Sequence, residues 1–257
     1  MKSERIEFQN EAGQKLSGRL ELPPEDKPVA FALFAHCFTC SKDYKSAVFT
    51  SRALAGRGYA VLRFDFTGLG ESEGEFADTS FFSNVDDLVA AANYLGRKHE
   101  EPALLVGHSL GGAAVLQAAG RIPAARAVAT IASPCSPKNL GRFAEGRREE
   151  LAAAGAIDVS IAGRSFKIGR QFFDDLELTR MDKTIAGLGK ALLVLHSPAD
   201  RTVSIENAAR IFEKAKHPKS FVVLDGADHL LSNPDDARYA GEVIGAWANR
   251  YVGAGQK

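Results

Sequence analysis

The sequence predicts an α/β architecture: a mostly parallel central sheet with helices on both faces. Three observations predict it. Short, nearly continuous apolar runs recur at 29–35, 60–64, 103–106, 127–131, 191–195 and 221–224. A strand buried on both faces reads as such a run because neither side of the pleat meets water. Segments with helical periodicity separate them, near 45–57, 84–98, 110–119, 205–216 and 235–251. A chain of 257 residues, 45% hydrophobic and 25% charged, is also large enough to bury a two-sided core within one domain spanning 1–257.

Taken in order, the chain opens on a β-hairpin. Ile6 and Phe8 alternate with Arg5 and Glu7, Glu11-Ala12-Gly13 supplies a turn, and Leu16, Gly18, Leu20 and Leu22 alternate up to Pro23-Pro24. The regular strand–helix rhythm follows; in its second helix Val85, Leu88, Val89, Ala92 and Leu95 form one stripe. The rhythm breaks after residue 131, where roughly fifty residues intervene before the next strand, far more than a usual connection. This interval holds a charged stretch at 142–150. A small hairpin follows, with Ile157, Val159 and Ile161 against Phe166 and Ile168 around Ala162-Gly163-Arg164. A short helix then carries Phe172, Phe173 and Leu176. A small cap insertion at about 136–190 is expected, its apolar side chains forming a wall of a pocket or packing the insertion onto the scaffold. The tail Gly253-Ala254-Gly255-Gln256-Lys257 carries no pattern.

Charge excludes some partners. Lysines and arginines number 32 and aspartates and glutamates 32, so net charge is zero and nothing favours nucleic acid or an anionic membrane. No stretch approaches the roughly 18 apolar residues of a membrane span, and Met1-Lys2-Ser3-Glu4-Arg5 leads into no signal-peptide core. Three cysteines do not suggest a disulfide framework, and a cytoplasmic setting is expected.

The chemistry-bearing motif is Gly107-His108-Ser109-Leu110-Gly111-Gly112, between the apolar run Ala103-Leu104-Leu105-Val106 and the helical Ala113-Ala114-Val115-Leu116. Gly-x-Ser-x-Gly at a strand-to-helix turn lifts a serine hydroxyl above the sheet edge, where the free N–H groups of the new helix point. The competing reading is a glycine-rich turn with an idle serine. Serine needs an adjacent base, and three histidines lie downstream: His196, His217 and His229. His217 sits in the helix-ending Lys214-Ala215-Lys216-His217-Pro218 and suits a solvated cap. His196 ends a strand and can line the site, but as base it leaves no strand to hold an acid. His229 lies in Gly226-Ala227-Asp228-His229, the loop after the last strand, and is the expected base. For the acid, the loop His196-Ser197-Pro198-Ala199-Asp200 places Asp200 at the carboxyl end of the sheet, where it can set the imidazole tautomer. The loop one strand earlier, Ser133-Pro134-Cys135-Ser136-Pro137, offers no carboxylate, and Asp228 adjoins His229 too closely for the two side chains to converge.

Acyl transfer needs donors for a developing oxyanion. The N–H of Leu110 is one; the other is expected from Phe38 in His36-Cys37-Phe38-Thr39-Cys40-Ser41-Lys42-Asp43. The turn Asp65-Phe66-Thr67-Gly68-Leu69-Gly70-Glu71-Ser72 reads as scaffold beside the site. Cys37 and Cys40 form Cys-x-x-Cys, but outside a thioredoxin-like context and with only Cys135 left as a further thiol. Small apolar filling of the loop is preferred over a redox or metal role. No metal and no cofactor is expected.

Over about residues 4–251 these segments resemble the α/β-hydrolase family. The runs 36–42, 63–74 and 107–112 carry a nearer likeness to the hydrolase half of bacterial proteins that fuse it to an OsmC-like domain. A looser likeness, in the Asp65–Gly74 turn and the small hairpin cap, is to cinnamoyl/feruloyl esterases. The resemblance implies Ser109, Asp200 and His229 as triad and Phe38 and Leu110 as oxyanion donors. It further implies cleavage of carboxylic esters with small to medium acyl groups, and association with an OsmC-like domain. The chain departs from the wider fold at Cys37, where glycine is usual, and no OsmC-like sequence follows residue 251. A free-standing relative and a piece of a fusion both stay open. The alternatives are a thioesterase, a small-substrate peptidase or a carbon–carbon hydrolase of the same fold, and a non-catalytic binding module that retains it. Serine at the nucleophile position disfavours a dehalogenase.

Overall fold

A computed structural model of the chain describes residues 2–25, 27–161 and 164–252. Eight strands form one sheet: β1 (Lys2–Gln9), β2 (Lys15–Leu22), β3 (Ala30–Ala35), β4 (Tyr59–Phe64), β5 (Leu104–His108), β6 (Ala127–Ile131), β9 (Ala191–His196) and β10 (Lys219–Val223). Their order is β1-β2-β4-β3-β5-β6-β9-β10. The hairpin β1–β2 and the β2–β4 pair are antiparallel, and every pair from β4 to β10 is parallel. The expected hairpin and mostly parallel sheet are therefore both present.

Helices α1 (Lys45–Gly56), α2 (Phe81–Lys98), α3 (Leu110–Ala118), α7 (Glu206–Lys214) and α8 (Pro234–Val252) cover the sheet. Strand alternation divides the core in two. In β3, Phe31, Leu33 and Ala35 join the cluster that includes α2 and α3, while Ala30, Ala32 and Phe34 join the one that includes α1 and α8. Both faces of the strand are thus dry, which is the reason it reads as an unbroken apolar run. No helix among the described residues is long and apolar enough to cross a membrane.

Topology fixes where a ligand crevice falls. The chain leaves β3 toward β4 on one side and leaves β5 toward β6 on the other, although β3 and β5 are neighbours. The loops at their carboxyl ends therefore diverge and open a crevice between them, the usual site in open α/β sheets.

Helix α2 begins at Phe81, three residues before the expected start. Ser80 accepts from the Ser83 N–H while the Ser83 hydroxyl accepts from the Ser80 N–H, a capping box in which serine stands where glutamate is usual. The insertion holds more structure than its sequence suggests. A 3-10 turn (Pro137–Ala144) and α4 (Arg148–Ala154) precede the antiparallel pair β7 (Ala156–Ile161) and β8 (Arg164–Gly169), and α5 (Arg170–Leu178) and α6 (Met181–Ala186) follow. Residues Ala162 and Gly163 of the expected hairpin turn lie outside the described residues, as does the tail at 253–257. Ile157, Val159, Ile168, Phe172 and Leu176 belong to the same apolar cluster as α2 and α3, so the insertion has no separate core.

Candidate active site

Strand β5 ends at His108 and α3 begins at Leu110, so Ser109 alone makes the turn, at φ 55° and ψ −123°. Its strain is held by its N–H, which donates to Ile131 O at 2.8 Å. The motif glycines are needed because three backbones converge here. A Cβ on Gly107 would stand 2.2 Å from Gly111 O, and one on Gly111 would stand 2.4 Å from Ala35 O. Any side chain at either position would drive β5, α3 and the β3 loop apart.

The structure brings Ser109, His229 and Asp200 together from three loops. His229 Nδ1 donates to Asp200 Oδ2 at 2.7 Å, and its Nε2 accepts from Ser109 Oγ at 3.0 Å. Asp200 Oδ1 in turn accepts the N–H groups of Thr202 and Val203 at 2.8 and 2.9 Å. Burial works against the Asp200 carboxylate, but the His229 and backbone donors outweigh it and hold its pKa below the ordinary range. Asp228 turns away, as expected: its Oδ1 accepts the Ser232 N–H at 2.9 Å. His217 is exposed and distant from this chain of bonds.

Two buried histidines position the triad loops, a role their sequence context does not reveal. His108 Nε2 donates to the His229 carbonyl at 2.7 Å, and its Nδ1 accepts from Ser46 Oγ at 3.3 Å. His196 Nε2 donates to Val203 O at 2.8 Å, beneath Asp200. Burial lowers the pKa of both, that of His108 to about 3. The sign of the stability effect follows. The unfolded chain takes a proton on His108 below its ordinary value of 6.5, whereas the folded chain does not until about pH 3. Stability is thus expected to fall as pH drops through that window, by up to about 1.4 kcal/mol per pH unit for this one group. Urea denaturation at pH 7, 6 and 5 measures it, and His108→Gln should flatten the slope.

The loop after β3 carries Phe38, and it differs from expectation in one respect. Cys37 and Cys40 are joined by a disulfide, with Cα atoms 5.3 Å apart. Cys37 is buried, as a filling residue should be, but it is also bonded to Cys40, which corrects the reading of the pair as plain apolar filling. The intervening Thr39 takes φ 62°, and that left-handed turn brings the chain back on itself within four residues. Cys135 is a free, buried thiol. Behind the loop lies a buried ionic cluster. Lys42 donates through N and Nζ to the two Asp65 oxygens at 2.6 and 2.8 Å, and Asp65 Oδ2 also accepts the Glu71 N–H. Burial opposes the Lys42 charge, but Asp65 and Glu71 more than compensate and raise its pKa. Arg63 donates to Lys42 O and to Glu21. The turn at 65–72 is thus scaffold that anchors the Phe38 loop through paired charges.

The insertion touches the loop as well. Phe172 stacks on Phe38 with ring centroids 5.2 Å apart and is only 1% exposed. Burial that complete favours the packing reading over an open pocket wall. Phe172→Ala is expected to cost about 3–5 kcal/mol of stability by leaving a cavity, read from the urea midpoint. An unchanged midpoint with an altered ester chain-length preference would restore the wall reading. A wider groove among Glu25, Lys27, Arg57 and Glu242 lies at the opposite edge of the sheet, away from the triad. Among the described residues no group of histidines, cysteines and carboxylates could hold a metal ion.

A sheet of this order, with a serine on the β5–α3 turn and a histidine and an aspartate on the last two strand-end loops, defines a class, and comparison with known sequences agrees. Residues 32–242 match the Alpha/beta hydrolase family, and the chain belongs to that family. It is similar to the solved esterase domain of a Rhodothermus marinus protein, at 48% identity over 98% of this chain and 100% of that one, with a TM-score of 0.80. Its fold is shared with Est1E of Butyrivibrio proteoclasticus, solved with ferulic acid bound, at 20% identity over 96% and 99% of the two chains and a TM-score of 0.79. An uncharacterized protein of Salmonella typhi, YfhR, is 24% identical over 69% of this chain and 57% of its own length. The chain thus spans little more than half of that relative.

Proposed function

We propose that this chain is a serine hydrolase that cleaves carboxylic esters of small to medium acyl groups through an acyl-enzyme. Ser109 is the nucleophile, His229 the general base and then acid, and Asp200 the group that orients and stabilises the imidazole. The observation that carries this reading is the continuous line of hydrogen bonds from Asp200 Oδ2 through His229 to Ser109 Oγ, at 2.7 and 3.0 Å. The esterase domain of Rhodothermus marinus, at 48% identity, supports the same class of substrate.

In the first step Ser109 Oγ bonds to the ester carbonyl carbon while its proton passes to His229 Nε2. The carbonyl oxygen becomes an oxyanion facing the N–H groups of Phe38 and Leu110. As the first residue of α3, Leu110 has an N–H with no intrahelical acceptor and sits at the positive end of the helix. The C–O bond to the alcohol then breaks, and His229 returns its proton to the departing oxygen. Water repeats the cycle on the acyl-enzyme and releases the acid. Asp200 remains ionised throughout, which its lowered pKa favours.

Labelling with a fluorophosphonate probe, followed by peptide mapping, tests the assignment alongside a hydrolysis screen over p-nitrophenyl esters, a thioester and an anilide. Probe on Ser109 with turnover of short and medium esters is expected. Absence of both labelling and turnover in folded protein would leave a binding module, and a dominant rate on the thioester or anilide would move the substrate class.

A further inference from the structure

We propose that the Cys37–Cys40 disulfide positions the Phe38 oxyanion donor, and that its reversible reduction by a dithiol slows acyl transfer without unfolding the protein. The inference rests on the ester-hydrolase reading above and adds redox control to the same site. Residues 37–40 form a tight turn, closed by the Cys40 N–H donating to Cys37 O at 3.1 Å. Phe38 and Thr39 are its central pair, and Thr39 takes φ 62°. A left-handed residue at that place is the pattern of a type II turn, which favours glycine there. A β-branched residue is ill suited to it. The disulfide ties the first residue of the turn to the last and helps to hold this conformation against the local preference.

The peptide unit joining Cys37 to Phe38 carries both the carbonyl that closes the turn and the N–H assigned to the oxyanion. In a planar trans peptide the two point in opposite directions, so whatever fixes Cys37 O also aims the Phe38 N–H. Cys37 O accepts from Cys40 N and from His36 Nδ1, the latter at 2.8 Å. The Phe38 N–H takes no backbone acceptor among the described residues. Contacts of the Phe38 ring with Phe76 and Phe172 hold the side chain, not the plane of the preceding peptide. Closing so short a loop adds little to global stability, so the covalent bond acts chiefly on the turn. Cys37 is 3% exposed, whereas Cys40 is partly exposed, so a thiol attacks from the Cys40 side. The thiolate of a dithiol bonds to Cys40 Sγ, the Cys37–Cys40 bond breaks, and Cys37 leaves as a thiolate. The second thiol of the reductant then displaces Cys40. Two electrons and two protons pass to the protein, and the reductant closes to its own disulfide.

The test assays wild type in the disulfide form, after dithiothreitol, and after later treatment with oxidised glutathione. Alkylation and peptide mapping report the state of Cys37 and Cys40. On the best p-nitrophenyl ester, kcat is expected to fall about tenfold on reduction, part of the 10²–10³ that loss of a whole oxyanion donor costs. It should recover on reoxidation, with KM staying within about twofold throughout. A fluorophosphonate should still label Ser109 stoichiometrically in the reduced form, only more slowly, because each site is impaired and none is lost. The double variant Cys37→Ser plus Cys40→Ser should match the reduced enzyme and ignore dithiothreitol. A kcat unchanged within about twofold on reduction overturns the proposal, as does a bond that dithiothreitol fails to open in the folded protein. A labelling endpoint that falls in step with kcat overturns it too, since the bond then holds the fold and not the donor. In all three cases the disulfide form still turns over esters and the ester-hydrolase reading stands. A disulfide form that hydrolyses no ester removes both readings together. Should circular dichroism show the double variant unfolded, the reduced and reoxidised wild type decides.

Discussion

Ser109→Ala is expected to lower ester turnover by about 10⁴–10⁶-fold, with the melting transition retained. His229→Ala should lose a comparable amount, because nucleophile and base act as one unit and removing either disables both. The geometry makes the comparison clean. Ser109 Oγ meets His229 Nε2 at 3.0 Å, and the turn itself is held by the Ser109 backbone N–H to Ile131 O rather than by the hydroxyl. Alanine removes the reacting atom and leaves that bond in place. Initial rates on the best p-nitrophenyl ester, with circular dichroism as control, measure the effect. Either folded variant keeping more than roughly a tenth of wild-type kcat would remove the triad assignment.

Asp200→Asn is expected to cost about 10³–10⁴ in kcat, and the reason is the tautomer. Asn Oδ1 can keep the Thr202 and Val203 N–H bonds that Asp200 Oδ1 accepts. Its amide nitrogen then faces His229 Nδ1, which must become an acceptor, and the ring proton moves to Nε2. In that form Nε2 cannot take a proton from Ser109. Asp228→Asn should stay within about threefold of wild type, since Asp228 holds the Ser232 N–H and not the ring. Steady-state kinetics on one ester ranks the two variants, and the reverse order would shift the acid to Asp228.

Much of the site was legible because chemistry at this sheet edge follows from chain order. The glycines around Ser109, the strand before it and the helix after it mark a turn whose backbones leave no room for side chains. Candidates for base and acid were few, three histidines and two loops, so elimination could proceed from position alone. The supporting groups were not legible. His108 carried no assigned role and His196 was read only as a strand-end residue able to line the site; their bonds to His229 O and Val203 O, 121 and 7 residues away, reveal their part. Helix α4 was missed because its only buried side chain, Leu151, leaves too weak a stripe to detect.

By itself the sequence determined the alternation of strands and helices, the nucleophile turn and the order of its partners, since each depends on local spacing, on glycine and on the dryness of both sheet faces. Tertiary structure decided what spacing cannot express. The Lys42–Asp65 pair and the stacking of Phe172 on Phe38 both join residues far apart in the chain. The Cys37–Cys40 bond is the exception, local in sequence yet misread: the chain between the two thiols turns back through a left-handed Thr39. A left-handed turn at a β-branched residue is unfavourable on local grounds and is maintained by the packing around it.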